Sequence, residues 1–448
     1  MNVRSIQRPD RKFTRPRIFS LHIISSHISS FNNKYTSSFK GEFIPALNPL
    51  REEIFDLCGG SLGNHCDLMQ PPPDSDFDSK IKKWVLQSAA REILYVKEFK
   101  PSEQHRICNC LRSPINKSSS INILKSNRFD SYHYSGLQTC GLGWVCPVCG
   151  SKISERRKNE LTQGFHNWRS KGGEVYMLTL TAPHHVNQSL KYLSDAMIKA
   201  HRLFKNRKPW KRFFSSYNIT GDIRGLEVTH SFFNGWHVHF HILLFFPLPL
   251  SPDSFVSIED FLYTQWASAC VSAGLDSPSR EHGLRFEDGS RAAKYVSKWG
   301  LEHELTKSHI KKGHQGHYTP FDFLRLYIAG DTRYAELFRE YTAVFKGKPQ
   351  LKYSDGLRDI LGLGKEKKDE EIAEEHIEEA SLFAEIPLNV WKVILKASNE
   401  RDPITKKKSN RSLIGRILID VCPKGIESFY DFITDLMSKY KYFQVMVT

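Results

Sequence analysis

Residues 235–246, GWHVHFHILLFF, place three histidines at alternate positions and then continue into aliphatic and aromatic residues. Alternate side chains of a β-strand point to opposite faces, so His237, His239 and His241 share one face, while Val238 and Phe240 share the other. The apolar side predicts contact with a hydrophobic core. The histidine side indicates either a solvated sheet face or a metal site, because neighbouring neutral imidazoles can bind one cation.

The segments around this strand alternate between strand-like and helix-like patterns. GEVYMLTLTAP at 173–183 and ITGDIRGLEVTHSF at 219–232 read as strands, and between them Leu190, Leu193 and Met197 recur at helical spacing. Two further helical segments and a short strand follow the histidine strand. The order β-α-β-β-α-β-α favours an α+β fold, in which helices pack on one face of a central antiparallel sheet.

The overall charge of the chain narrows the class of partner. Its 448 residues include 64 Lys and Arg against 49 Asp and Glu, a net charge of +15. A polyanion is therefore expected as the partner, with nucleic acid ahead of an acidic membrane surface. The sequence contains no apolar run of the length a membrane helix needs, and its N-terminal segment makes a poor secretory signal. We therefore expect a cytoplasmic protein.

Five of the nine cysteines lie between residues 108 and 149. This clustering favours a metal site over disulfides and implies a reducing compartment, although a set of free thiols or a redox pair remains an alternative. The CPVC spacing at 146–149 suits two thiolates on one tetrahedral zinc, with two earlier cysteines completing the site. Cys108 is a rival to Cys110, and His133 is a further candidate. The predicted zinc ligands are Cys110, Cys140, Cys146 and Cys149.

A basic segment, SKISERRKNEL at 151–161, follows the cysteines directly. On a helix next to a structural zinc site it would present cations to a phosphate backbone, and the alternative is an exposed helix face without a ligand. The predicted DNA-binding residues are Lys152, Arg156, Arg157 and Lys158.

In SRAAKYVSKWG at 290–300, Tyr295 and Lys298 are three residues apart and so share a helix face. A phenol beside an ammonium group is a candidate nucleophile, because the cation favours the phenolate. By itself the pair is a weak signal, because most helical pairs of this spacing are packing plus a solvated lysine. A histidine metal site in the same domain strengthens the catalytic reading, since phosphodiester cleavage needs both a metal and a nucleophile.

With these residues assembled, the chain resembles rolling-circle plasmid replication initiators of the HUH endonuclease superfamily, named for two histidines flanking a hydrophobic residue. Several stretches occur in the order found in such proteins, and together they cover about 105–360. They are YSGLQTCGLGWVCPVCGSKISERRKNEL, YMLTLTAPH, RGLEVTHSFFNGWHVHFHILLF, AAKYVSKWGLEHEL and the segment from GHYTPFDFL to FREYTAVFKGKPQLKYSDGL.

The resemblance implies roles for individual residues. His239 and His241 would hold a divalent cation, Mg²⁺ or Mn²⁺, with Glu227 on the preceding strand as the third ligand. Tyr295 would attack the scissile phosphate of origin DNA, remain linked to the 5′ end and release a 3′-hydroxyl primer. Lys298 would stabilise the phenolate or the phosphate charge. The implied partners are single-stranded plasmid origin DNA at the nick site, a host helicase and a polymerase.

The sequence departs from some of these relatives one turn before the tyrosine. They carry a glutamate there that is thought to activate water at termination, whereas this chain has Arg291. Glu287, Asp288 and Glu302 are the candidates to replace it.

The hairpin loop between the two predicted strands can have an even or an odd number of residues, and this number decides whether Glu227 can act as a ligand. A two-residue turn would place Glu227 opposite Ile242, on the apolar side. A three-residue loop at 233–235 pairs Phe232 with Trp236 and places Glu227 opposite His241. We therefore expect an odd-length loop or a compensating bulge.

Changes of pattern along the chain, together with the resemblance over its middle part, predict the domain organisation. We expect an irregular basic arm and linker at 1–75, a helix plus zinc module at 76–168, an HUH endonuclease domain at 169–345 and a mainly helical region at 346–448. Two alternatives to the replication initiator remain open. A single-tyrosine transposase or relaxase would use the same chemistry on other DNA, and a non-catalytic zinc-dependent regulator would bind DNA without nicking it.

Overall fold

Five antiparallel strand pairs build the sheet that contains the histidine strand. The computed structural model describes residues 79–117, 119–129, 131–298, 317–375 and 379–445, without the side chains of residues 79, 290, 296–298 and 441–445. The predicted arm at 1–75 and the candidate Glu302 lie outside the described residues.

The described strands form two sheets, and the larger one has the order β6-β3-β5-β4-β7, with β8 also beside β4. The smaller sheet has the order β2-β1-β9. The strands are β1 Ile121–Ser126, β2 Tyr132–Ser135, β3 Glu174–Leu180, β4 Gly221–Ser231, β5 Gly235–Phe246, β6 Leu284–Glu287, β7 His317–Tyr318, β8 Leu351–Tyr353 and β9 Ala380–Ile386. The predicted mixture of helices and antiparallel sheet is confirmed.

Helices connect these strands and cover the sheets. None of the described helices is both long and apolar enough to cross a membrane. The helices are α1 Ser79–Leu94, α2 Pro147–Arg169, α3 Leu190–Asn206, α4 Lys208–Ser216, α5 Ser254–Ala273, α6 Gly289–Lys298, α7 Pro320–Ala329, α8 Arg333–Phe345, α9 Leu357–Ile360, α10 Asp369–Glu374, α11 Leu388–Ser398, α12 Leu413–Arg416 and α13 Ile426–Val445.

The apolar face of β5 forms the main core, as the alternation predicts. Phe240 and Ile242 are fully buried, and they belong to one apolar cluster with Met197 of α3 and Trp266 of α5. Phe204 of α3 packs edge-on against Trp266, with ring centroids 5.8 Å apart. This face is sealed from water over its whole length, so the functional groups of β5 must lie on the other face.

That other face is covered at one end, which corrects the expectation that helices pack on one face only. Leu243 and Phe245 follow the histidines on the same side of β5 and are buried in a cluster that includes Phe165 of α2 and Ala292 of α6. The physical reason is visible in the sequence, because after His241 the strand is apolar on both faces. Such a segment needs cover on both sides.

The hairpin loop between β4 and β5 has an odd length, as predicted, but its register differs from the one expected. Ser231 pairs with Gly235, so the loop is Phe232 to Asn234, and Glu227 lies opposite His239 rather than His241. The Ser231 hydroxyl accepts a hydrogen bond from the Asn234 amide at 3.0 Å, which stabilises the tighter pairing. A shift by two residues keeps every side chain on its face.

The region after residue 346 contributes strands as well as helices to the structure. β9 pairs with β1 from the cysteine-rich segment, and β8 pairs with β4. Trp391 of α11 is buried between these parts, where its indole donates to the Arg112 carbonyl at 2.8 Å. The two segments predicted as a zinc module and a C-terminal region thus share one sheet and one apolar core. The domain boundaries themselves stay predictions.

Candidate metal and tyrosine site

The hairpin brings the three predicted metal ligands together on one face. The Nε2 atom of His239 lies 3.2 Å from Oε2 of Glu227, and Nε2 of His241 lies 3.6 Å from the same oxygen. All three potential ligand atoms lie within 4.8 Å of one another. Two imidazoles and a carboxylate form a donor set that suits a divalent cation such as Mg²⁺ or Mn²⁺, which leaves positions for phosphate oxygens.

The histidines keep the carboxylate ionised. Burial alone would raise the pKa of Glu227, but the hydrogen bonds and charges of His239 and His241 outweigh burial and hold that pKa well below its ordinary value. An ionised carboxylate is the form that binds a cation. Its side chain is 40 % exposed, so the site is open to a ligand.

Thr179 of β3 holds the ring of His241 from the side away from Glu227. Its hydroxyl lies 3.0 Å from Nδ1 of His241, and the two residues are paired across β3 and β5. With Nδ1 engaged, the ring presents Nε2 to Glu227. Outer contacts of this kind orient a metal-binding histidine.

Glu227, His239 and His241 are called the metal-ligand group below. His237, the first histidine of the strand, lies outside this group and has its own partner. Its Nδ1 lies 2.7 Å from Nε2 of His184, whose Nδ1 lies 3.0 Å from the Asn234 carbonyl. A carbonyl only accepts, so His184 donates from Nδ1 and its Nε2 accepts from His237. Burial, helped by His239 and His184, lowers the pKa of His237 to about 3.

Helix α6 carries Tyr295 to the metal-ligand group. The rings of Tyr295 and His241 lie 4.8 Å apart between centroids. Gly225, which is paired with His241, leaves the space that the tyrosine hydroxyl occupies, because a β-carbon there would collide with it. Lys298 ends the helix, and its side chain lies outside the described side chains.

Gly225 and Thr179 are two positions that the sequence analysis missed. A glycine inside a strand marks a close approach by another group, and RGLEV carries that signal. Thr179 alternates with Leu178 and Leu180 in a strand that otherwise reads as apolar, and so marks a second polar position on the site face. Both signals become specific only when the strand order is known.

The four predicted zinc ligands also meet at one point. The sulfur of Cys110 lies 3.8 Å from that of Cys146 and 3.5 Å from that of Cys149, and the sulfurs of Cys140 and Cys149 lie 3.7 Å apart. In a tetrahedral site with zinc–sulfur bonds of about 2.3 Å, neighbouring sulfurs lie about 3.8 Å apart. The spacing therefore fits a four-thiolate zinc site.

Local structure fixes the last two thiols of this group. Cys146 caps α2, and its sulfur accepts from the Cys149 amide at 3.5 Å. Hydrogen bonds from Cys110, Cys140 and Cys146 hold the pKa of the Cys149 thiol well below its ordinary value, whereas the pKa of the Cys110 and Cys140 thiols is raised within the same hydrogen-bonded group.

The two rival ligands lie outside the cysteine group. The Cys108 thiol instead lies 3.9 Å from the Arg91 carbonyl. His133 belongs to β2, in the smaller sheet.

Arg157, one of the predicted DNA-binding residues, is turned into the protein. Its guanidinium is buried and lies 3.1 Å from Glu366, 3.3 Å from Asp369 and 3.5 Å from Glu160. Three carboxylates already neutralise this cation, so the structure gives it a partner inside the chain.

The other three predicted DNA-binding residues of α2 lie nearer the surface. Lys152 donates from Nζ to the carbonyls of Ala373 and Glu375, the first at 3.1 Å. Arg156 is exposed and pairs with Glu160 at 3.2 Å. Lys158 is half-buried. Of the four predicted residues, Lys152 and Arg157 thus bind the 366–375 segment directly.

Part of the chain matches the model of a known protein family. Residues 137–265 match the family model described as a replication protein. That range includes Glu227, His239 and His241 and ends before Tyr295. These matches, with the relatives below, confirm the predicted resemblance to plasmid replication initiators.

Two relatives come from Streptomyces. Protein rep of Streptomyces lividans is 23% identical over 297 residues, which cover 51% of this chain and 64% of that protein. A neomycin resistance protein of Streptomyces cyanogenus is 29% identical over 133 residues, which cover 24% of this chain and 30% of that protein. The chain therefore spans less than two thirds of the length of either relative. No solved structure matches the chain.

The predicted zinc site can be tested by substituting one predicted ligand, Cys149, and the rival cysteine, Cys108, in separate variants. We expect about one zinc per purified chain, and Cys149→Ser should lose it and unfold the region around 110–160, because structural zinc supplies folding energy. Cys108→Ser, the matched control, should keep the metal. Elemental analysis and thermal denaturation measure both effects. Equal zinc loss in the two variants would contradict the assignment of Cys110.

The second metal site can be tested without any reaction. Glu227→Gln should weaken Mn²⁺ binding by at least about tenfold, because a neutral amide replaces the ionised ligand while the side-chain shape is kept. His241→Ala should have a similar effect, whereas His237→Ala should be milder. Titration calorimetry of zinc-loaded protein measures the affinities. A loss at His237 equal to that at Glu227 would contradict the ligand set.

Proposed function

We propose that this chain initiates plasmid rolling-circle replication by nicking one strand of the origin. In this proposal it is a site-specific DNA endonuclease and strand transferase, with Tyr295 as nucleophile and a divalent cation held by Glu227, His239 and His241. The product is a 5′-phosphotyrosyl link and a free 3′-hydroxyl primer.

One observation supports this function most directly. The hydroxyl of Tyr295 lies over Gly225, and its ring lies beside His241 of the metal-ligand group. A nucleophile for phosphodiester cleavage needs this proximity to a metal ligand set.

In the proposed cleavage reaction, the site residues have different roles. A divalent cation bound there would act as a Lewis acid on a non-bridging phosphate oxygen. Thr179 keeps His241 oriented, and the glycine at 225 fixes how deeply the phenol enters the site. The phenol oxygen forms a bond to phosphorus as the bond from phosphorus to the 3′-oxygen breaks. The phenolic proton ends on the released 3′-oxygen, so atoms and charge balance.

The charge of the chain supports DNA as the substrate. A net charge of +15 favours a polyanion, and Arg156 and Lys158 on α2 would contact phosphates outside the site. Lys298 would stabilise the phosphate charge. A nicked origin with a free 3′-hydroxyl then calls for a host helicase and polymerase, and we place the protein in the cytoplasm, where thiolates stay reduced.

The tyrosine assignment is tested with a labelled single-stranded origin oligonucleotide, Mn²⁺ and a denaturing gel. Tyr295→Phe should abolish both cleavage and the covalent adduct while origin binding stays nearly unchanged, because only the attacking oxygen is removed. Tyr327→Phe, the control, should behave like the unchanged protein. An adduct mapped to Tyr318 or Tyr327 would refute the assignment. Binding without any nicking would favour a non-catalytic regulator.

The space that Gly225 leaves for the Tyr295 hydroxyl gives a second test, on strand β4. Gly225→Ala should lower the cleavage rate about 100-fold or more, because the new methyl group displaces the Tyr295 hydroxyl by an ångström or more. Gly221→Ala crowds Ser354 and Leu357 instead, so it should reduce thermal stability without a selective loss of cleavage. Mn²⁺ affinity should be kept in both variants. Cleavage by Gly225→Ala at the normal rate would refute this position of the tyrosine.

A further inference from the structure

A short hairpin turn joins α11 to α12 in the C-terminal region. Arg401 and Lys408 form an isolated antiparallel bridge, and the Asp402 amide donates to the Lys407 carbonyl at 2.8 Å. We call residues 401–408, RDPITKKK, the basic turn. Its two arms lie side by side, so it is about as narrow as a pair of β-strands, which are about 4.8 Å apart. The basic turn contains no residue of the metal-ligand group.

Hydrogen bonds inside the basic turn hold its tip in one shape. Oδ1 of Asp402 accepts from the Thr405 hydroxyl at 2.9 Å, and from the amides of Ile404 and Thr405 at 3.0 Å and 2.6 Å. The Lys406 amide donates to the Asp402 carbonyl at 2.9 Å, and Lys406 has a φ of +55°. A loop that is already ordered loses little conformational freedom when it binds a partner.

Two arginines attach the basic turn to α1 through one carboxylate. Arg401 lies 2.5 Å and Arg411 2.7 Å from the oxygens of Glu92, whose side chain is 12 % exposed. Burial would raise the pKa of Glu92, but Arg411 and Arg401 outweigh burial and lower that pKa. Arg401 also donates to the Lys406 carbonyl at 2.9 Å. The basic turn is therefore a fixed part of the protein surface.

The basic turn and its surroundings keep an excess of positive charge. Residues 400–411 contain five lysines and arginines against Glu400 and Asp402, a net charge of +3. Lys406 and Lys407 are exposed, and neither makes an ion pair within the described part of the chain. Carboxylates on α1 and around the start of α8 do not remove this excess, because cations beside them balance their charge. These pairs are Glu92 with Arg91, Asp331 with Arg333 and Glu336 with Arg339.

The tip of the basic turn carries an apolar side chain in water. Ile404 is 87 % exposed, the highest value among the large apolar side chains described, and Pro403 beside it is also exposed. One isoleucine is too small to hold a protein in a bilayer, which takes a helix face or a lipid chain. Proteins that bend duplex DNA insert apolar wedges between base pairs, isoleucine and proline among them. The turn has no aromatic residue of the kind on which single-stranded bases stack.

We propose that the basic turn is a second DNA-binding site, which binds duplex DNA and kinks it. Lys406 and Lys407 contact phosphates that flank one base step, and Ile404 enters between the two base pairs. The ligand is double-stranded DNA without a fixed sequence. The inference goes beyond the proposed cleavage, because it concerns another form of DNA and another set of residues.

The lysine contacts are tested with the full zinc-loaded chain, without added Mn²⁺ or Mg²⁺, and a fluorescent random duplex of about 30 base pairs. Lys406→Gln and Lys407→Gln together should weaken binding about tenfold or more. They should also reduce the slope of log affinity against log salt by about 1.8, because each lost phosphate contact removes about 0.9. Lys208→Gln with Lys211→Gln is the matched control, two exposed lysines of α4. Equal affinities and slopes for the two double variants would overturn the proposal.

The form of the DNA is tested with a random single strand of the same length. The double variant of the basic turn should lose little affinity for this strand, and an equal loss for strand and duplex would refute the choice of duplex DNA. Vesicles of anionic phospholipid give the remaining comparison. Binding to them as tight as to the duplex, and lost in the same variant, would identify a lipid surface instead.

The wedge is tested by energy transfer between dyes on the two ends of the duplex. The unchanged protein should shorten the distance between the dyes. Ile404→Ala should remove most of that change and keep the salt slope, because no charge is lost. Leu248→Ala is the control, an apolar side chain after β5 that is 71 % exposed. An equal bend by Ile404→Ala and the unchanged protein, or no bend by either, would contradict the wedge.

Cleavage of the single-stranded origin separates this inference from the proposed function. All variants of the basic turn should nick at the normal rate, because they keep Tyr295 and the metal-ligand group. A loss of nicking in these variants would overturn the separate role of the basic turn. If the unchanged protein nicks no origin, the proposed function fails, while the duplex comparisons still decide whether the basic turn binds and kinks DNA.

Discussion

The antiparallel pairing of Glu227 with His239 is the constraint on which the site depends. Side chains on neighbouring strands meet only if the hairpin places them on the same face, and a one-residue slip would move the carboxylate into the core. The three-residue loop secures that parity, and Ser231 and Asn234 hold it. Because the opposite face of β5 is apolar and sealed, the alternative register would also bury polar groups at a large cost in free energy.

The two halves of strand β5 present different kinds of side chain on the site face. Its first half presents histidines on an open face, and its second half presents Leu243 and Phe245 on that same face. The apolar half gives α6 a surface to pack on through Ala292, and the helix then reaches the polar half with Tyr295. The hydrophobic contact thus positions a tyrosine against the metal-ligand group without a flexible loop at that point, which suits a group that must be held within a fraction of an ångström.

Helix α2 links the cysteine group to the sheet. It begins at the group itself, where Cys146 caps it, and its later residues Phe165 and Trp168 pack on the second face of the sheet. Trp168 also donates to the Phe246 carbonyl at 3.0 Å. Loss of a zinc ion bound by the cysteine group would therefore be expected to loosen the start of a helix whose other end covers the strand of the histidines. Its buried Arg157 pairs with Glu366 and with Asp369, the first residue of α10, and so ties α2 to the start of that helix.

The sequence by itself determined the local facts: the histidine alternation, the cysteine spacing, the strand–helix order and the need for an odd hairpin loop. These follow from periods of two and 3.6 residues and from ligand chemistry, which act over short distances along the chain. Only the tertiary structure decided that Glu227 faces His239, that Gly225 admits Tyr295, that Arg157 turns inward and that β9 joins β1. Each of these depends on contacts between residues far apart in sequence. The order of strands in the sheet selects such contacts, and no local pattern encodes that order.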